Sequence, residues 1–331
     1  MTSLPGKLPL VSAARGVLGL LAAMLFAAPW IFGPAELQIL TELLCLLVLA
    51  MMWNLLAGYA DIVTIGQHGF VGIGCYSFYG FVVLAGVGPY LAILLAGLTT
   101  LVFAVPAMVI IFRLRAAYLA VGTWVLAEVM MLGAGKIEAF GAGLGISLPV
   151  SVVREFGGNI VERFTTIYWI SLALALVAMG ATYALMRSAV GIGLTAMRDN
   201  EEAAGTIGVN LFRARVICFL WTAPFLGLAG ALITLQKLRI APAASFSITD
   251  WTVYIIFIVV IGGVGSFEGP IIGTLVFFAI REYLQDWGVW HFIILGGVSI
   301  ATVLIEPRGI WGLLRRVIPA DLIPVAHTPP R

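Results

Sequence analysis

Carboxylates, amides and arginines are concentrated in residues 187–215, the longest polar segment of an otherwise apolar sequence. Asp199 can act as the N-cap of a short helix, because Glu202 follows three residues later at the spacing of a capping box. Gly208 can end this helix, since glycine readily adopts the left-handed conformation that terminates helices. The apolar positions of the helix form a small strip suited to close docking: Ala203, Ala204 and Ile207. The spacing therefore predicts a rigid contact helix.

A second group of polar residues lies among glycines at residues 58–80, inside what would otherwise be a membrane-spanning segment. Irregular backbone at that depth is tolerated only within protein or beside a water-filled cavity. One interpretation is a broken helix that lines a transport pathway, with these candidate residues: Gly66, Gln67, His68, Gly69 and Gly72. The alternative is that the glycines allow close helix packing, with Gly58, Asp61 and His68 at the membrane surface.

Glu128 is the acidic residue most clearly placed inside an apolar run. An ionised carboxylate at the centre of a membrane helix costs about 3 kcal/mol even on the most lenient insertion scale. Glu128 is therefore expected to face the bundle interior, a transport pathway or a partner protein. The alternative is that it lies near the outer helix end and is solvated, since Lys136 follows about two turns later.

The sequence contains no constellation for enzymatic catalysis. It lacks a nucleophile elbow, an HExxH motif, a kinase motif set and a Rossmann fingerprint. The glycine cluster at residues 259–273 lacks the Lys and Ser or Thr of a phosphate-binding loop, and is better explained as a tight turn between two helices. The three histidines have no matching carboxylate spacing, and the three cysteines lie in apolar runs. No metal or cofactor is predicted.

The elements that must hold these residues are membrane helices. Apolar residues make up 62% of the 331-residue chain and charged residues only 10%, which excludes an ordinary soluble domain. The net charge of +2 gives no reason to expect nucleic-acid binding. We predict an all-α polytopic bundle of about 8–10 membrane-spanning helices within a single transmembrane domain, residues 1–331. The candidate segments are residues 16–33, 37–57, 68–87, 89–112, 116–135, 165–186, 214–235, 251–266, 268–285 and 290–306.

The distribution of basic residues predicts the orientation of the chain. If the N-terminus is inside the cell, most of the 18 Lys and Arg residues lie in inner segments, as the positive-inside rule requires. Both termini, the polar segment 187–215 and the tail 307–331 are then cytoplasmic. The longest outer connection, residues 136–164, is then periplasmic, with a short surface helix expected around Val150–Glu155. It is either a solvated linker or a docking surface for another protein.

Several stretches of this sequence resemble one transporter family. Glu202, Ala203, Ala204 and Gly208 match the E-A-A-x-x-x-G loop of the membrane subunits of bacterial ABC importers. Further stretches, in the same order along the chain, are similar to the LivM-like branch of the branched-chain amino acid permease family: residues 54–76, 112–129, 196–210, 259–273 and 306–313. The resemblance spans residues 54–313, and the ordered set is more specific than any single motif.

This resemblance implies a type II-like ABC importer permease fold in the bacterial inner membrane, translocating branched-chain or related hydrophobic amino acids. It implies two ABC ATPase subunits, a second homologous LivH-like permease and a periplasmic substrate-binding protein as partners, besides the lipid bilayer. The chain itself would not be an enzyme, because ATP would be hydrolysed in the partner subunits. By the same resemblance, the residues that contact an ATPase subunit would be Arg198, Asp199, Asn200, Glu202, Ala203, Ala204 and Gly208.

An ion-coupled secondary transporter of small polar solutes is the alternative function. In that case Asp61 and Glu128 would be the ion or proton sites, and residues 187–215 would be an ordinary connection.

Overall fold

The protein is an all-α polytopic bundle in a computed structural model that describes residues 8–114, 116–206, 208–284, 287–288 and 290–317. Its helices are α1 (Leu8–Ile31), α2 (Pro34–Tyr59), α3 (Gln67–Tyr79), α4 (Pro89–Ile111), α5 (Ala116–Lys136), α6 (Val150–Arg154), α7 (Ile160–Arg187), α8 (Ala189–Asp199), α9 (Glu201–Thr206), α10 (Leu211–Lys237), α11 (Pro242–Ser245), α12 (Tyr254–Gly262), α13 (Gly269–Leu284), α14 (Trp290–Ile305) and α15 (Gly309–Val317). π-Helical turns at Gly80–Leu84 and Thr249–Val253 extend α3 and precede α12.

Each apolar segment predicted from the sequence coincides with a helix. Within the described part of the chain, six helices are long and apolar enough to cross a membrane, or seven if the bent α14–α15 pair counts as one span. The six are Pro34–Tyr59, Pro89–Ile111, Tyr118–Lys136, Ile160–Arg187, Leu211–Lys237 and Pro242–Gly262. A non-helical segment, residues 60–66, separates α2, which ends at Tyr59, from α3, which begins at Gln67.

Helix α2 lies at the centre of the bundle. It packs against α7, α10, α12 and α13, and 72% of the residues in its most apolar 18-residue stretch are buried. Its apolar residues surround the helix axis, as expected for a helix with protein on every side. Its Glu42 carboxylate accepts a hydrogen bond of 3.0 Å from Arg281 of α13. By contrast, only 17% of the residues in the most apolar 18-residue stretch of α5 are buried.

Glycines bring the backbones of α3, α4 and α10 into contact. A Cβ atom on Gly74 would collide with the backbone of Gly227, and one on Gly230 would collide with the carbonyl of Val71. A Cβ on Gly227 would also overlap the side chain of Thr100 on α4. These positions allow helix axes to approach more closely than any larger residue permits, as in other membrane bundles.

Segments assigned to the same side of the membrane contact each other. The two-residue strands β1 (Ile146–Ser147) and β2 (Arg239–Ile240) pair antiparallel, joining the connection 136–164, predicted to lie outside, to the end of α10. The short surface helix predicted in that connection is confirmed as α6. Val152 on α6 and Phe156 just after it are buried, so this segment is folded onto the bundle rather than being a solvated linker.

The described part of the C-terminal tail forms α15, on which Trp311 is buried and Arg316 pairs with Glu306. The remainder of the predicted tail, residues 318–331, lies outside the described residues, as does Ile207 of the predicted docking strip.

Candidate functional site

The polar segment 187–215 contains two short helices rather than one. Ser188 caps α8, an 11-residue helix that ends at Asp199, and α9 follows after a single non-helical residue. That residue is Asn200, whose backbone is extended at φ −163° and ψ 109°. A sharp corner at Asn200 therefore separates α8, which follows α7, from α9, which carries the Glu-Ala-Ala motif.

Asn200, and not Asp199, caps α9, so the predicted capping box is wrong. The Asn200 Oδ1 atom accepts a hydrogen bond of 2.9 Å from the backbone N–H of Ala203. Asp199 is still helical, and its carboxylate accepts hydrogen bonds from the neighbouring Arg198 at 2.9 and 3.1 Å. Glu202 is the second residue of α9 and contributes its charge to the first turn, where the helix dipole favours it.

Gly208 ends α9 as predicted. Its φ of +90° lies in the region that favours glycine. The chain reversal lets the Val209 N–H donate to the carbonyl of Ala204 at 3.1 Å, and the Gly208 N–H to that of Gly205 at 3.2 Å. Both bonds satisfy carbonyl groups that the end of a helix would leave without partners.

The two faces of α9 have different surroundings. Glu202 and Ala203 are exposed, whereas Ala204 is buried at 2% exposure. Ala204 therefore anchors α9 to the rest of the protein, and does not belong to an exposed docking strip with Ala203. The exposed face consists of acidic and very small side chains, which leave the helix backbone accessible to a partner.

Arg198 connects α8 to the turn between α12 and α13. Its Nη1 atom donates a hydrogen bond of 3.0 Å to the carbonyl of Gly265, and its guanidinium lies 5.5 Å from the ring centre of Tyr59 at the end of α2. The turn reverses direction at Gly263 and Gly265, both at positive φ. This is the tight turn between two helices that the glycine cluster predicts.

Asn54 binds the same turn from the α2 side. Its Oδ1 atom accepts from the N–H of Gly265, and its Nδ2 atom donates to the carbonyl of Ser266, both at 2.8 Å. Gly58, one turn later on α2, leaves just enough space for the backbone of Gly265. Asn54 was not among the predicted site residues, although an amide inside an apolar run is itself a signal of a buried polar contact.

Arg215 connects α9 to the break between α2 and α3. Its guanidinium forms an ion pair of 2.9 Å with Glu201 on α9 and donates to the carbonyl of Ala60 at 3.2 Å. The exposed helix α9 is thus tied to the break after α2, while α8 is tied to the α12–α13 turn.

Replacing Asn200 with alanine is expected to destabilise α9 by about 1 kcal/mol, because the N–H of Ala203 loses its side-chain acceptor. Amide hydrogen exchange within residues 201–206 should become several-fold faster. Asp199→Ala is the matched control and should leave this exchange unchanged, since its carboxylate is bonded to Arg198. Equal acceleration in both variants would contradict the assignment of the cap.

The glycine-rich start of α3 is closely packed. Cβ atoms added to Gly66 and Gly69 would overlap Thr123 and Ala127 on α5, and one on Gly72 would overlap the ring of Phe246. These glycines therefore allow close packing around α3. Gln67 is buried as well, and its Nε2 atom donates to Thr64 Oγ1 at 2.8 Å.

The packing of α3 on α5 brings His68 and Glu128 together. His68 is fully buried rather than at the membrane surface, and its Nε2 atom lies 3.9 Å from Glu128 Oε1. The Glu128 carboxylate also accepts a hydrogen bond of 3.0 Å from Trp124 Nε1, one turn earlier on α5. The side chain of Glu128 is 37% exposed, while Asp61 is exposed near the break and is not part of this cluster.

Comparison with known proteins identifies the family. Residues 36–303 match the family model described as branched-chain amino acid transport system, permease component. The chain is 25% identical to the high-affinity branched-chain amino acid transport system permease protein LivM of Salmonella typhimurium, over 92% of this chain and 77% of the relative. Identity to the LivM protein of Escherichia coli is 26% with the same coverage.

A third relative is the probable branched-chain amino acid transport permease protein LivM of Methanocaldococcus jannaschii, 27% identical over 66% of this chain and 67% of the relative. No solved structure matches the chain. The family match extends from α2 into α14 and so includes the α8–α9 corner, the α12–α13 turn and the His68–Glu128 contact. The chain is a multi-pass membrane protein that belongs to the family of permease components of branched-chain amino acid transport systems.

Proposed function

We propose that this chain is the membrane subunit of a bacterial ABC importer that moves branched-chain or related hydrophobic amino acids across the inner membrane. The LivM relatives are named as permeases for branched-chain amino acids, which supports this substrate class. The observation that carries the proposal is the exposed helix α9, linked through Arg215 to the break after α2. A rigid helix with such a link can transmit the movement of an external motor to the membrane helices.

Two ABC ATPase subunits are the proposed motor, one of them contacting α9. Glu202 and Ala203 are exposed and available for this contact, with Asn200 and Gly208 setting the limits of the helix. The inner segments 187–215 and 307–331 would face the cytoplasm, because they hold a large share of the basic residues. Movement of α8 would reach the α12–α13 turn through Arg198.

A second homologous permease is proposed to cover the exposed side of α5. Only 17% of the residues in the most apolar 18-residue stretch of α5 are buried, so a wide face of the helix is free. Because this face carries the Glu128 carboxylate, we expect it to contact protein or a transport pathway rather than lipid. The pathway would then pass between the two permeases, beside Glu128 and the start of α3.

A periplasmic substrate-binding protein is the proposed partner at the outer end. The outer connection 136–164 is folded onto the bundle and exposes apolar side chains, with Leu144 at 82% and Val150 at 66% exposure. The proposed partner would bury these side chains, as protein contacts bury exposed apolar surface.

Charge reversal of Glu202 tests the role of α9. The Glu202→Arg variant, co-expressed with the ATPase subunits and the second permease, is expected to lose association with the ATPase and ATP-driven leucine uptake by tenfold or more. The reason is that Glu202 is exposed on the proposed contact face, where a large cation would replace a carboxylate. Pull-down of the ATPase subunits and uptake into proteoliposomes measure the two effects.

Glu155→Arg is the matched control, because Glu155 is an exposed acid in the outer connection. It should retain ATPase association. Uptake by the purified chain alone, without ATP and dependent on an ion gradient, would contradict the proposal and favour the secondary transporter.

A further inference from the structure

Trp124, Glu128 and His68 form a polar cluster where two apolar helices meet. The Glu128 carboxylate is held by the Trp124 indole at 3.0 Å and lies 3.9 Å from His68 Nε2. His68 is fully buried on one side of the carboxylate, while Glu128 itself remains 37% exposed on the other. The Glu128 carboxylate therefore lies between the buried His68 ring and the free face of α5.

The position of Glu128 along α5 argues against contact with lipid. It precedes Lys136, the last residue of the helix, by eight residues, which corresponds to about 12 Å along the axis. The same face carries exposed apolar side chains: Val121, Val125 and Leu132. Lipid cannot solvate a carboxylate at such a depth. The exposed side of Glu128 is therefore expected to meet water or a polar ligand.

The hydrogen-bonding capacity of the cluster is incompletely used. Thr252 Oγ1 lies 3.1 Å from His68 Nδ1 and accepts the His68 backbone N–H at 3.2 Å. When the Thr252 hydroxyl donates to Nδ1, the ring proton lies on Nε2 and faces Glu128. Among the described residues, the buried Nε2 atom has no hydrogen-bond partner. A carboxylate has about four acceptor positions, and Trp124 occupies one of them.

We propose that Glu128 and Trp124 form a transient binding site for the ammonium group of the transported amino acid. This inference rests on the proposed function and names the chemistry of its pathway. An ammonium group offers three donors to the free carboxylate positions, and it is attracted to an adjacent indole face. The apolar side chain of the same amino acid can lie against Val121 and Val125. His68, fixed by Thr252, lies behind the carboxylate at 3.9 Å.

The experiment uses the complete complex with its binding protein in proteoliposomes and radiolabelled L-leucine as the probe. Glu128→Gln keeps the shape of the side chain and removes its charge, so leucine uptake is expected to fall tenfold or more. Assembly with the second permease and ATP hydrolysis should persist. Glu128→Asp should restore part of the uptake, because it restores the charge. Trp124→Phe, which keeps an aromatic face, should lose less uptake than Trp124→Leu.

Glu282→Gln is the matched control, since Glu282 is an exposed acid near the end of α13 and outside the proposed contact surfaces, and it should transport normally. Wild-type rates in Glu128→Gln, or equally poor uptake in Glu128→Asp and Glu128→Gln, would overturn the ammonium site and leave the proposed function standing. Separation of the two permeases in Glu128→Gln would assign the carboxylate to subunit contact and also overturn it. Absence of ATP-driven leucine uptake in the wild-type complex would overturn both proposals.

Discussion

Gly230→Leu is expected to abolish the recovery of folded protein from the membrane. A Cβ atom at this position would overlap the carbonyl of Val71 and press on the backbone of Cys75, so the collision is between two helix backbones. A flexible side chain can move aside, but a packed backbone cannot. The variant should therefore lose about 3 kcal/mol or more of stability. The yield of a monodisperse peak in size-exclusion chromatography measures the effect.

Gly180→Leu is the matched control on α7, because Gly180 is exposed and a Cβ atom there meets nothing within 4 Å. It should be recovered at wild-type yield. Similar recovery of both variants would show that α3 and α10 are not in backbone contact at Gly230.

Asn54→Leu is expected to lower both thermal stability and coupled transport. The substitution leaves the N–H of Gly265 and the carbonyl of Ser266 without their side-chain partner. Because both groups are part-buried, the loss is about 0.5–1.5 kcal/mol for each hydrogen bond, or about 1–3 kcal/mol together. The α12–α13 turn would be released from α2 while Arg198 still bonds to it. ATP hydrolysis should therefore continue in the assembled complex, with leucine uptake reduced tenfold or more.

The melting temperature of the purified chain and the ratio of leucine transported to ATP hydrolysed measure these effects. Thr99→Val is the matched control, since the Thr99 hydroxyl donates only to the carbonyl of Leu95 in its own helix. An unchanged melting temperature and an unchanged ratio in Asn54→Leu would exclude a role of Asn54 in holding the turn.

The positions of the helices could be predicted because a helix that crosses the bilayer needs about 20 apolar residues, and apolar runs are visible in the sequence. The cap of α9 could not, because Asp199 and Asn200 are adjacent and either can cap a helix. Their roles depend on where α8 ends, and Asp199 remains helical with its carboxylate on Arg198. The contact between Arg198 and Asp199 determines which residue caps α9, and the spacing of the motif residues does not predict that contact.

The meeting of His68 and Glu128 was also beyond sequence reasoning, although each was a candidate on its own. Helix α3 packs on α5 through Gly66 against Thr123 and Gly69 against Ala127, and this register turns His68 towards Glu128. A rotation of either helix by one residue, about 100°, would separate the two side chains. Register between helices depends on many small contacts, which an apolar pattern alone does not specify.

The central position of α2 has a consequence for biosynthesis. The helix is complete once residue 59 has been made, but the partners of Glu42 and Asn54 are Arg281 and the turn at Gly265. These partners follow roughly 200 residues later, or about 10–40 s at ordinary translation rates. Until then a carboxylate and an amide on α2 must be sheltered by the insertion machinery, a membrane chaperone or water. Helix α2 is therefore synthesised early, but its polar contacts are among the last to form.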